Sequence, residues 1–261
     1  MYTRTMANSD ALSLLAGLLA GAGGGLLSGL FGIGGGIVLI PLLRALLGLN
    51  QHQAQGITLA ALLLPNTLPA VWQFRRRGVP LHWPMVGAMM LAFLPGVWLG
   101  ARFANALPDG PLRLIFVGFL VLLALRTFFQ KKKEAPLDAA RPDPPWAPGL
   151  LIGLIGGVCG GLFGIGGGVV MIPLLTLGLK LSQHEAQLTS IAVLLPPVGL
   201  PGVLVYARSQ PLPWMLLAGV ALGFQIGAFF GARLATRLPG ARLQRLFALL
   251  LVLLAGVLMV R

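Results

Sequence analysis

Two clusters of glycine, Gly34, Gly35 and Gly36 and then Gly166, Gly167 and Gly168, are the residues whose type and spacing best suit chemistry in this chain. Each lies inside one copy of a fifteen-residue phrase. The copies are GLFGIGGGIVLIPLL from Gly29 to Leu43 and GLFGIGGGVVMIPLL from Gly161 to Leu175, identical at 13 of 15 positions. Three glycines in a row let the backbone leave one helix and present amide N–H groups at the start of the next. A helix N-terminus carries partial positive charge and unpaired donors, so such an end suits an oxyanion. The same glycines also suit close helix packing, and the sequence leaves both readings open.

Neutral polar side chains inside apolar stretches supply further donors. Gln55, Thr58, Asn66 and Thr67 stand in the first half, and Gln187, Thr189, Ser190 and Gln225 in the second. In hydrocarbon such groups face a cavity or another helix. Asn66 is the strongest single candidate, because it precedes Thr67 and sits between Pro65 and Pro69, where the backbone is expected to be irregular. The candidate substrate-binding set is therefore Gly34–Gly36, Gly166–Gly168, Asn66, Thr67, Gln55 and Gln187. Pro41 and Pro173, inside the two phrases, remove an intrahelical donor and are expected to act as kinks or gates.

Other chemistry is poorly supplied. The register Gly32, Gly34, Ile37 fails the dinucleotide fingerprint at its third glycine, and no Gly-Lys-Ser/Thr follows to make a phosphate loop. One cysteine, Cys159, excludes an intramolecular disulfide, and the chain has no Cys/His cluster at metal spacing. Neither a metal nor a cofactor is expected. No acid/base pair and no nucleophile beside its base is visible, so the chain does not read as an enzyme. Asp10, Asp109, Glu134, Asp138, Asp143 and Glu185 all fall in expected loops, linkers or span edges. Without a carboxylate deep in a span, proton or sodium coupling and cation substrates lose their usual partner. His52 and His184 recur at equivalent span boundaries, where they fit a helix cap or a proton role.

The elements that must position these residues follow from composition. Of 261 residues, 57% are hydrophobic and 10% charged, against about 45–50% and about 25% in soluble domains. A spanning helix needs about 20 apolar residues, and the chain offers about ten such segments: about 11–30, 33–49, 54–74, 84–106, 112–129, 147–162, 165–181, 186–207, 213–236 and 242–260. The second and seventh are short and read as half-helices or re-entrant pieces. Strands of alternating polarity are absent, which excludes a β-barrel. The N-terminal stretch reads as a mature span, because its counterpart at 149–161 lies mid-chain.

The expected fold is all-α and polytopic, with two inverted five-segment membrane repeats. Residues 11–129 form the first repeat, 130–146 a charged, proline-rich cytoplasmic linker, and 147–260 the second repeat. At an offset of 132, Gly17, Gly21, Gly25 and Gly29 map onto Gly149, Gly153, Gly157 and Gly161. These ridges predict that the first and sixth helices pack against each other near a pseudo-two-fold axis. After a one-residue slip, Trp83 maps onto Trp214 and Gly100-Ala101-Arg102 onto Gly231-Ala232-Arg233.

An odd number of spans per repeat inverts the second copy, and positive charge tests this. With Lys131–Lys133 cytoplasmic, Arg75–Arg77 is cytoplasmic and Arg102 and Arg113 are external. In the second half Arg208 is external, while Arg233, Arg237, Arg242 and Arg245 are cytoplasmic. Charge has moved from one hairpin to the other, as inversion requires. The competing arrangement of four crossings per repeat places those four arginines outside. The net charge of +13 is then accounted for by topology and attraction to lipid headgroups, with no nucleic acid as partner. Arg102 and Arg233 either snorkel to headgroups or funnel anions.

The paired G-L-F-G-I-G-G-G-x-x-x-I-P-L-L phrases, with the Gln/His and Gly-Ala-Arg segments after them, resemble the TauE/SafE family of membrane permeases, also called the sulfite exporter or TSUP family. The resemblance covers residues 11–260. It implies a multi-pass transporter of the cell membrane, a prokaryotic inner membrane, moving sulfur-containing oxyanions such as sulfite or an organosulfonate. An anion leaving a negative interior gains about 2.3 kcal/mol per charge per 100 mV, so export needs no coupling ion and is the expected direction. An anion channel and an uptake permease are the alternatives. The expected partners are a small anionic substrate and the lipid bilayer, and homo-oligomerisation is compatible with the sequence. Alternating access by relative movement of the repeats is the expected mechanism.

Overall fold

The computed structural model describes residues 2–31, 36–64, 68–76, 78–129, 145–209, 211–235 and 240–260. Twelve helices occupy them: α1 (Tyr2–Phe31), α2 (Gly36–Leu47), α3 (Gln51–Ala61), α4 (Leu68–Arg76), α5 (Trp83–Ala106) and α6 (Asp109–Phe129), then α7 (Ala147–Phe163), α8 (Gly168–Gly178), α9 (Gln183–Val193), α10 (Leu200–Ser209), α11 (Trp214–Ala235) and α12 (Gly240–Val260). No strand occurs among the described residues. Each helix of the first six has its sequence equivalent six places later. Four are long and apolar enough to cross a membrane: Asp10–Phe31, Trp83–Ala106, Asp109–Phe128 and Trp214–Gly231. Shorter apolar helices at Gly36–Leu47, Ala147–Phe163, Gly168–Gly178 and Leu246–Met259 accompany them.

The sequence expectation of ten segments needs one change. The stretches 54–74 and 186–207 are not single spans; each is a pair of short helices, α3 with α4 and α9 with α10. In the second copy α9 stops at Val193, and Pro196, Pro197 and Gly199 precede α10. Proline has no N–H to continue the ladder and disfavours helical geometry in the residue before it. The linker calls at 130–144 lie outside the described residues, as do Gly34, Gly35, Asn66 and Thr67.

Local chemistry fixes where the short helices begin. Asn50 accepts from the Gln53 amide at 2.8 Å while Gln53 Oε1 accepts from the Asn50 amide at 3.4 Å, a reciprocal capping box on α3. Ser182 and Glu185 repeat the arrangement on α9, with Glu185 Oε2 2.7 Å from the Ser182 amide. Two otherwise orphaned donors are satisfied at each start. Glu185, the lone acid beside a repeated segment, is thereby a cap. Pro41 and Pro173 lie inside α2 and α8 without ending either helix.

The glycine ridges do not meet each other. A methyl group built on Gly17, Gly21, Gly25 or Gly29 would run into the α11 backbone at Leu216, Val220, Phe224 and Ala228. Reciprocally, Gly219, Gly223, Gly227 and Gly231 of α11 face Leu14, Leu18, Ala22 and Leu26 of α1. The second ridge packs the same way: Gly153, Gly157 and Gly161 of α7 against Met89, Phe93 and Val97 of α5, with Gly96 and Gly100 returning against Leu154 and Val158. The expected α1–α7 seam is therefore replaced by two equivalent cross-repeat clasps, α1 with α11 and α7 with α5. Lipid tails offer no hydrophobic drive to helix pairing, so close backbone approach supplies the attraction instead.

The clasps, with α6 and α12, present exposed apolar surface. Leu12, Leu19, Leu91, Leu122, Leu222 and Leu249 of α1, α5, α6, α11 and α12 are exposed apolar residues suited to lipid. The core gathers about α2, α3, α8 and α9, where Ile37, Leu39, Ile40, Ile57, Met171 and Leu188 are fully buried. Trp83 and Trp214, at the starts of α5 and α11, are 61% and 72% exposed, as interfacial indoles are.

Candidate functional site

The second glycine cluster is a turn between two helices. Gly164 (φ +69°) closes α7 and Gly167 (φ +75°) is the N-cap of α8, both in the left-handed region that glycine alone enters without a steric penalty. Gly168 and Val169 begin α8, and the amides of a first helical turn have no intrahelical acceptor. The sequence expected helix-end donors here, and α8 provides one end.

Both halves of the chain enclose this turn. A methyl on Gly164 would lie 2.9 Å from Gln55 Cα, and one on Gly166 3.5 Å from Leu62 Cδ1. On the other side, a methyl on Gly168 would lie 3.1 Å from Ser190 Oγ and 3.4 Å from Leu194 Cδ1. Gly36, the one described glycine of the first cluster, is buried against Ile165 and the Gly164 carbonyl. The two copies of the duplicated phrase thus touch at the centre of the molecule.

Buried polar side chains lie on α3 and α9, the helices that border this turn. Gln51, Gln55 and Thr58 of α3 and Thr189 and Ser190 of α9 are all fully buried. Thr58 and Ser190 are sequence equivalents, and their hydroxyls, with Thr189 Oγ1 and Gln55 Nε2, have no hydrogen-bond partner among the described residues. An unpaired buried polar atom costs about 1–3 kcal/mol, so each of these groups calls for a hydrogen-bonding partner. These are donor-capable groups: three hydroxyls and one amide nitrogen. Ser190 stands closest to the α8 N-terminus.

Gln55 is held by its other end. The Tyr206 hydroxyl lies 2.9 Å from Gln55 Oε1 and 2.8 Å from the Gly161 carbonyl oxygen, sharing one proton between two acceptors. With its oxygen engaged by a donor, the Gln55 amide nitrogen is left as the free donor. Tyr206 was not anticipated from sequence, because its equivalent, Phe74, has no hydroxyl and instead meets the His184 ring at 6.1 Å. Gln187, the equivalent of Gln55, is only half-buried, so the two halves do not supply the site equally. Pro41 and Pro173 follow the helix starts by five residues on α2 and α8.

Asp109 pairs with Arg44 at 3.2 Å, accepts from the Gln51 amide and lies 3.7 Å from His52 Nδ1, while His52 Nε2 is 3.1 Å from the Ala104 carbonyl. His52 is thus part of the packing of α3 on α5 and α6. His184 is exposed. The two repeated arginines stack on aromatic rings one turn back: Arg102 over Trp98 at 4.5 Å and Arg233 over Phe229 at 4.3 Å.

Comparison with known proteins covers the same extent. The model of the family described as Sulfite exporter TauE/SafE matches residues 14–258. A "Probable membrane transporter protein" of Haemophilus influenzae is 29% identical over 261 residues, covering 93% of this chain and 96% of the relative. The "Probable membrane transporter protein YdhB" of Bacillus subtilis is 26% identical over 220 residues, 82% of this chain and 87% of the relative. A similarly described archaeal protein of Methanocaldococcus jannaschii is 28% identical over 195 residues, 71% and 69% of the two chains. No solved structure matches the chain significantly.

Proposed function

Because this chain belongs to the sulfite exporter TauE/SafE family and is a membrane transporter, we propose that it carries a small sulfur-containing oxyanion, sulfite or an organosulfonate, outward across a prokaryotic inner membrane. The observation that carries the reading is Ser190 Oγ, fully buried and unpartnered against the first residue of α8. A hydroxyl donor, the α8 amides and the Gln55 amide nitrogen form a neutral donor set, which recognises an anion without a counter-charge. Gly166–Gly168 and Gln187 belong to this site from the second repeat, with Gly34–Gly36, Gln55, Asn66 and Thr67 as the first repeat's contribution. Thr58, Thr189 and Ser190 join them. Outward movement follows the membrane potential by about 2.3 kcal/mol per charge per 100 mV.

Two inverted repeats joined by a cytoplasmic linker remain our reading of the architecture, supported by the charge redistribution and by the equivalence of the two clasps. Since each clasp joins helices of both repeats, movement for alternating access takes place between the clasped pairs and the inner helices. Pro41 and Pro173 lie on those inner helices and suit a gate.

Flux of sulfite in proteoliposomes tests the proposal. Saturable efflux with counterflow is expected, and Ser190→Ala and Asn66→Ala each reduce it roughly tenfold, the loss of one hydrogen bond to a charged group. Gly35→Val reduces flux with the protein still inserted. Conductance far above carrier turnover would make the protein a channel, and strictly inward coupled flux an uptake permease. Full flux in all three variants would remove the site.

A further inference from the structure

The two repeats hold their fourth helices differently. α10 is seated: Val203 and Tyr206 are buried, and a methyl group on Gly202 would lie 2.8 Å from Leu59 Cδ2 and 3.0 Å from Val97 Cγ2, so the helix rests directly on α3 and α5. Its first-repeat equivalent, α4, is seated less deeply. Val71 and Phe74, at the places of Val203 and Tyr206, are only half-buried, and Trp72 is exposed.

Hydrogen bonds follow the same division. The Tyr206 hydroxyl reaches Gln55 of α3 and the Gly161 carbonyl of α7, and Asn105 Nδ2 of α5 donates to the Val205 carbonyl at 3.2 Å. α10 therefore pins α3, an inner helix, to the α5–α7 clasp, across the boundary where movement for transport takes place. For α4 the sequence supplies neither latch: Phe74 stands in place of Tyr206 and Thr236 in place of Asn105. α10 is also bounded by breaks, with Pro196, Pro197 and Gly199 before it and Pro211 and Pro213 after it. Neither junction continues a helical ladder, so α10 can leave its seat as one body, hinged at short irregular segments.

We propose that α10 is the outer gate of the transporter and that Tyr206 is the positioning residue that couples this gate to anion affinity. The proposal rests on the reading of the central turn as an anion site and of Arg208 as external. With α10 seated, the phenol holds Gln55 Oε1 and thereby presents the amide nitrogen as the donor. When α10 leaves, this tether is lost and the amide turns freely, bringing its oxygen toward the anion as often as its nitrogen. The anion is then held most weakly in the state that is open outward, and is released on that side. α4, without either latch, is the inner gate and opens the more easily, so the site loads from the cytoplasm.

Sided labelling of a buried reporter tests the gate with no anion present, so the gate can fail while sulfite flux stands, and the reverse. In the full chain carrying Cys159→Ala, Leu59→Cys places a thiol beneath Gly202, and Ser28→Cys places a buried control thiol on α1. An impermeant maleimide is expected to reach Leu59→Cys slowly from the outside. Tyr206→Phe with Asn105→Leu speeds that reaction roughly tenfold or more, from two lost hydrogen bonds, and leaves both the rate from the inside and the Ser28→Cys control unchanged. No acceleration, or an equal one from the inside or at Ser28→Cys, overturns the gate and leaves the two bonds as structural only. For sulfite efflux, Tyr206→Phe alone raises KM about tenfold, more than Asn105→Leu, which loosens the gate without touching Gln55. A KM that Tyr206→Phe does not move, in a chain that exports sulfite, overturns the coupling.

Discussion

Tyr206 and Gln55 come from opposite halves of the chain, and their side chains meet deep in the molecule with 2.9 Å between the phenol oxygen and Gln55 Oε1. The same hydroxyl reaches the Gly161 carbonyl, the first residue of the second duplicated phrase. One side chain therefore ties α10 to α3 and α7.

Tyr206→Phe removes the hydroxyl while keeping the ring, as Phe74 does at the equivalent place. Two acceptors lose their donor, and stability in detergent falls by about 1–3 kcal/mol. A thermal unfolding midpoint equal to that of the unaltered chain would show that the bond contributes nothing.

The α1–α11 clasp makes a paired prediction. A methyl on Gly21 overlaps the Val220 backbone, whereas one on Gly23 meets nothing within 4 Å. Gly21→Ala destabilises by about 1–3 kcal/mol through overpacking, and Gly23→Ala stabilises by up to about 1 kcal/mol from helix propensity. Opposite shifts in unfolding temperature, in the same helix two residues apart, check this.

Asp109 joins α2, α3 and α6 through Arg44 and the Gln51 amide. Arg44 is 10% exposed, so Asp109→Asn leaves a nearly buried cation with a weaker partner. A loss of about 1–3 kcal/mol is expected. In a double-mutant cycle with Arg44→Gln the combined loss is smaller than the sum of the two single losses; simple additivity would show that the ion pair carries no energy.

Arg102 and Arg208 border one cavity, so both must lie on one side of the membrane, and α6 returns the chain to the other before residue 130. In a Cys159→Ala background, Arg102→Cys and Arg208→Cys are expected to react with an impermeant thiol reagent from outside. Asp138→Cys reacts only once the cytoplasmic face is opened. Labelling of all three from one side would rule out the inverted arrangement.

Much of the helical framework was legible in the chain. The span read at 84–106 is Trp83–Ala106, and that at 213–236 is Trp214–Ala235, because long apolar runs bounded by tryptophan and turn residues leave little choice. The breaks after Ala61 and Val193 were not. Leu62-Leu63-Leu64 and Leu194-Leu195 continue the apolar run, and hydropathy cannot see a missing N–H until the prolines are weighed as stops. Glycine periodicity told that α1 needs a close partner and not which one; the matching period at Gly219, Gly223, Gly227 and Gly231 was the overlooked sign. The Ser182-x-x-Glu185 capping signature was likewise overlooked. Of the site, Gln55 and the Gly166–Gly168 turn were legible from the repeat, while Tyr206 was hidden because it breaks the repeat's symmetry.

The clasp between α1 and α11 also orders events in time. Trp214 follows Phe31 by more than 180 residues, and synthesis at about 5–20 residues per second separates their emergence by roughly 10 to 40 s. Through that interval the glycine face of α1 has no permanent neighbour, so a temporary escort in the insertion machinery or the bilayer must cover it. A helix made long before its partner is thus among the last to be locked in place.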